Sequence, residues 1–190
     1  MNIKRARVIS ENITFFNTAL ENLAARHFFT EAVRCVEYDP PLSLAGITCL
    51  ICGIEGSLRF SVEEHCTQKK SSETIDLDSS LNFNNRLLQK AAQLGFNIEV
   101  LAFHEEVGKM AKLVEVKKPP VGIVMWRNEL THGRAYRAAA NFGQSDWSDP
   151  IMLEPAFKEM LDISYRYSQE LAKFRGVELS PDNDLNPFGI

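Results

Sequence analysis

Apolar residues return every three or four positions along most of this chain, and that period leaves few folds open to it. From Ile9 they run through Ile13, Phe16, Leu20 and Leu23, one stripe of an amphipathic helix. The spacing predicts that this helix ends near Phe29, before the Asp39-Pro40-Pro41 break. Ser43 is the expected N-cap of a second helix, with Leu44, Ile47, Ile51, Ile54, Leu58 and Val62 on its inner face. Positions 48 to 54 are apolar nearly all round, as in a helix at the centre of a core.

Only 10 Gly and 8 Pro punctuate the chain, and they gather at a few points. A third helix is expected over Leu81–Leu94, stopped by Gly95, and a fourth over Ile98–Lys112. A fifth runs from Val121 to about Ala140, with Pro120 near its first turn. The last spans Met152–Phe174 and ends at Gly176. Thr67–Thr74 and Asn141–Pro150, which contains Trp147, read as loops. Val100–Phe103 and Lys112–Val116 are the best strand candidates, and both are short. The expected fold is therefore all-α: an up-and-down bundle of five to six helices in one domain, residues 1–176, followed by an irregular tail, 177–190.

The most apolar stretch, Leu44–Ile54, has eleven residues, short of the ~20 that cross a bilayer. The basic N-terminus has no apolar run behind it, and the four cysteines suit a reducing compartment, so a cytoplasmic protein without a membrane association is expected. The formal net charge of -4 excludes a polybasic protein that coats phosphate backbones. It averages over unlike halves, however. Lys109–Arg137 holds seven Lys/Arg against two Glu, and Asn141–Ile190 holds nine Asp/Glu against four Lys/Arg.

The basic segment contains the most unusual local sequence, Trp126-Arg127-Asn128-Glu129-Leu130-Thr131-His132-Gly133-Arg134. On a helix Asn128 and His132 lie about 40° apart, and the long Arg127 side chain can swing toward them. Gly133 is placed to loosen or end the helix after His132. Guanidinium, carboxamide and imidazole together suit phosphodiester chemistry. Imidazole exchanges a proton near neutral pH. Guanidinium grips two phosphate oxygens and offsets charge building on phosphorus, and the amide orients either partner. A ribose 2′-OH supplies the nucleophile, so none is needed from the protein.

Arg127-Asn128-x-x-x-His132 resembles the Arg-polar-spacer-His motif of the HEPN superfamily. That resemblance implies a compact helical bundle with the motif on a late helix. It implies a homodimer in which Arg and His of two protomers meet, and a metal-independent endoribonuclease of toxin–antitoxin, phage-defence or RNA-processing systems. Arg127, Asn128 and His132 would be catalytic and Arg134 and Trp126 substrate-binding, with RNA as substrate, no cofactor and no metal. The other reading within the resemblance is a non-catalytic module that dimerises or binds a partner protein or nucleotide, such as an antitoxin or a nucleotidyltransferase. Arg59 and His65 fit the bare spacing as well, but Phe60 stands where the polar residue belongs.

The remaining chemistry-bearing residues have plainer readings. Glu55 and Arg59, one turn apart, are read as an i,i+4 ion pair, the alternative being that Glu55 reaches Arg127 or His132. Trp126 follows Ile123–Met125, which favours packing over stacking on a base. Cys49-x-x-Cys52 lies inside an apolar helix rather than in a turn, which favours buried thiols over a zinc site.

Overall fold

In the computed structural model, residues 3–68, 83–115, 118–134, 137 and 150–179 are described. Among them the protein is an all-α helical bundle with no strand. Seven α-helices follow in order: α1 (Ile3–Ala19), α2 (Arg26–Arg34), α3 (Ser43–Gln68), α4 (Asn85–Gln93), α5 (Met110–Leu113), α6 (Gly122–Thr131) and α7 (Glu154–Arg175).

α3 is the axis. It packs most extensively against α2 and α7, while α1 packs on α2 and α7. Of the expected inner face, Ile47, Ile51, Ile54, Leu58 and Val62 are buried, Leu44 at the start is only partly so, and Leu50, outside that stripe, is buried as well. Two glycines let the neighbouring helices approach. A Cβ on Gly46 would overlap the Phe157 ring of α7, and one on Gly53 would strike the Phe29 ring of α2. Phe29 stacks on Phe16 at 5.0 Å and on Tyr167 at 6.4 Å, joining α1, α2 and α7 across that gap. The buried Tyr167 hydroxyl meets Ser57 Oγ at 2.7 Å and donates to the Ile54 carbonyl at 3.3 Å, so these polar atoms between α3 and α7 are satisfied. α3 is also long and apolar enough to pass for a membrane span by length and composition, and more than half of the span is buried in the bundle.

Several boundaries depart from the periodicity. The first stripe is cut into α1 and α2, because Asn22 takes a left-handed φ of 65° and turns the chain between them. α2 then carries on past Phe29 to Arg34 and a 3₁₀ turn over Cys35–Glu37. Ser43 is the first helical residue of α3 rather than its cap. α4 starts at Asn85, capped by Asn84, whose Oδ1 accepts from the amides of Arg86 and Leu87. The expected fourth helix is instead two 3₁₀ turns, Ile98–Leu101 and His104–Glu106, and the four-residue α5. Carboxylates hold this segment in place of helical bonds. Glu99 accepts from the amides of Gly108 and Met110, and Glu159 and Glu170 of α7 accept from His104 and Asn97. Val100 and Leu101 of the first strand candidate lie in the first 3₁₀ turn, and Lys112 and Leu113 of the second lie in α5. Thr67 and Gln68, expected to open a loop, instead close α3, and Pro150, expected to end one, opens a 3₁₀ turn over Pro150–Leu153. Residues 69–74 and 141–149 of those loops and 180–190 of the tail lie outside the described residues.

Candidate functional site

The motif helix is short and is capped from elsewhere in the fold. Glu106 Oε1 accepts from the Gly122 amide at 2.8 Å, and its other oxygen accepts from Phe103 at 3.2 Å. Asn85 Oδ1 accepts from the Val121 amide at 3.3 Å. At the far end α6 stops at Thr131. His132 is its C-cap and Gly133 follows at φ 65°, so the helix ends within the motif and does not run on toward Ala140 as one element.

Arg127 lies on the face of α6 toward α3. Its Nε donates to Glu55 Oε2 at 2.9 Å and its Nη2 to Glu55 Oε1 at 3.1 Å, a two-pronged pair whose side chains are 21% and 16% exposed. Arg59 Nη1 reaches the same carboxylate at 3.4 Å. Glu55 thus makes both the local pair and the long-range one. The sign that it would do so is a carboxylate placed directly after the apolar run Leu44–Ile54, where an unpaired charge is costly. The pair forms one wall of a cleft of about 410 Å³ between α3 and the end of α6, with Ile51, Cys52, Leu130 and Thr131 on the others. Burial pushes the Cys52 thiol up, the Glu55 charge pushes it further, and Arg127 opposes them.

The other motif residues are distributed around α6. Asn128 lies between the two sides: its Oδ1 accepts a long bond from Arg127 Nη1 at 3.5 Å, while its side chain lines a second pocket, with Arg86 and Lys118. His132 is exposed at the helix end, its amide bonded to the Asn128 carbonyl at 3.1 Å. Thr131 Oγ1 donates to the carbonyls of Arg127 and Asn128, tying off the last turn. Arg134 is drawn back onto Glu129, with bonds of 2.9 and 3.4 Å, so its guanidinium is already engaged. Trp126 has no exposed surface. It belongs to the core, as the apolar residues before it suggest, and presents no face on which a base can stack.

Protein-family models, curated proteins and solved structures give no match to this chain.

The second Arg–His pair is structural. Arg59 is held by Glu55, and the His65 ring stacks on Phe174 at 3.9 Å. Cys49 and Cys52 are free thiols, each half-buried rather than buried as expected, and among the described residues no group of three or more His, Cys, Asp or Glu is gathered.

Proposed function

We propose that this protein is a metal-independent endoribonuclease of the HEPN type. The observation that carries the reading is the arrangement at the end of α6. Arg127 is oriented by a carboxylate from another helix in the wall of a cleft, and an exposed His132 follows just over one turn later. An arginine so held keeps a defined direction, and a charge-assisted pair of this kind is a common way to orient a phosphate-gripping group. Arg127 Nη1 is the edge not bonded to Glu55, and it is the edge nearest Asn128.

In this reading the 2′-oxygen attacks phosphorus and the P–O5′ bond breaks. An imidazole takes the 2′-OH proton, a proton passes to the leaving 5′-oxygen, and the products are a 2′,3′-cyclic phosphate and a free 5′-OH. A homodimer through α6 would bring a second imidazole for the second transfer. RNA cleavage in EDTA is the test: activity in the unaltered chain, lost in Arg127→Ala and in His132→Ala, is the expected result. Inertness of the unaltered chain toward all RNAs, or cleavage by both variants unchanged from that of the unaltered chain, overturns it.

One observation favours a second reading, a non-catalytic module that dimerises or binds an antitoxin or nucleotidyltransferase. Glu55 and Glu129 neutralise the two arginines of the motif segment. A stable complex with such a partner, with no cleavage, would support it.

A further inference from the structure

Among the described residues, positive charge near the motif with no carboxylate paired to it lies on the other side of Asn128. A pocket of about 240 Å³ between the start of α4 and α6 is lined by Asn84, Asn85, Arg86, Lys118 and Asn128, together with Pro120 and Val124. No acidic residue is among them. Arg86 and Lys118 are exposed, and among the described residues neither side chain has an ion pair or a hydrogen bond. The acceptor oxygens of both flanking amides are committed, Asn84 Oδ1 to the α4 cap and Asn128 Oδ1 to Arg127. What the pocket offers a ligand is a set of donors: guanidinium, ammonium and two NH₂ groups.

The floor of the pocket is fixed. Asn85, 9% exposed, donates to the carbonyls of Leu113 and Pro119 and accepts from Val121, which ties the Lys118–Pro120 segment to α4. The α4 N-terminus itself adds nothing, because Asn84 already satisfies its amides.

We propose that this pocket is a phosphate subsite for the RNA strand, holding a phosphate that flanks the scissile one and placing the strand across Asn128 toward the Arg127 cleft. The proposal rests on the ribonuclease reading for its choice of RNA. It assigns strand binding to Arg86, which lies far in sequence from the motif, and to Lys118, and leaves the Glu55-paired Arg127 for the reacting phosphate.

The test measures binding apart from cleavage, by fluorescence anisotropy of labelled single-stranded RNA with the His132→Ala chain over a range of salt concentrations. Adding Arg86→Ala and Lys118→Ala is expected to weaken binding and to flatten the plot of log affinity against log salt by about 0.7 for each phosphate no longer neutralised. A control, Lys158→Ala with Lys173→Ala on α7, should leave the slope unchanged. Equal slopes for the two double variants overturn the subsite, as does absence of RNA binding. Full competition by inorganic phosphate at matched ionic strength overturns the choice of an RNA strand over a free anion. Both exposed positions should tolerate alanine, and matching thermal melts verify it. Cleavage by the chain with His132 intact is read separately. Cleavage with an unchanged slope removes the subsite and leaves the nuclease, and a flattened slope without cleavage does the reverse.

Discussion

Glu55 and Arg127, 72 positions apart, share two hydrogen bonds of 2.9 and 3.1 Å that join the central helix α3 to the motif helix α6. Two bonds to one carboxylate fix both the position and the plane of the guanidinium. Glu55→Gln would leave a half-buried Arg127 with a neutral partner. In a double-mutant cycle with Arg127→Met, denaturant unfolding should give a coupling of about 1–2 kcal/mol, reduced from the fully buried case by the remaining solvent exposure. A coupling near zero would mean that the pair does not persist in solution.

Cys52 reports on the same pair from inside the cleft. Burial and the Glu55 carboxylate raise its thiol above the ordinary value, and Arg127 lowers it. Alkylation at Cys52, followed site by site by peptide mass spectrometry, should therefore be slow at neutral pH. Glu55→Gln should shift its pH profile down and Arg127→Met should shift it up. Shifts of the opposite sign would place the thiol elsewhere.

Glu106 anchors the other end of α6. Glu106→Ala removes the acceptor of the Gly122 and Phe103 amides and should cost about 1–2 kcal/mol, in the range of lost helix caps. Gly122→Ala should also destabilise, against the usual gain of alanine over glycine in a helix, because the new Cβ meets the Phe103 ring at 2.6 Å. A rise in melting temperature for Gly122→Ala would contradict this packing.

Trp126 should behave as a core residue. In a Trp147→Phe chain its emission should be blue-shifted, resistant to acrylamide and unaltered by RNA. Trp126→Ala should lose about 3–5 kcal/mol. Quenching by single-stranded RNA would return it to the binding surface.

Buried and half-buried acids make stability depend on alkaline pH. Cys35, Cys49, Cys52 and Tyr167 are all raised, chiefly by burial, above ordinary values of 9.0 for the thiols and 10.0 for the phenol. The unfolded chain therefore releases these protons first, and the folded chain binds more of them. Their contribution is whole below about pH 9 and is lost as pH rises toward the folded values. Thermal melts in reductant should be flat through neutrality and fall above about pH 9. Tyr167→Phe should make the fall above about pH 10 shallower, while lowering stability near neutral pH by about 1 kcal/mol through the lost Ser57 bond. Melts that strengthen with alkali would refute the sign.

Local periodicity and local chemistry were legible along the chain. The stripe on α3, the all-α class, the stop at Gly176 and the burial favoured for Trp126 all follow from which residues recur at helical spacing. The rest depends on groups far apart in the chain, and only folding brings those together. The segment after Gly95 lacks a long helix because carboxylates of Glu99, Glu159 and Glu170 satisfy its amides in place of helical carbonyls. The basic segment Lys109–Arg137 is not uniformly basic in space. Glu55 arrives from another helix to neutralise Arg127 and Glu129 folds Arg134 back, while Arg86 comes from α4 to join Lys118 in a pocket with no acid among its described lining residues. A count along the chain sums charges, whereas a ligand meets only those that the packing leaves uncompensated on one face.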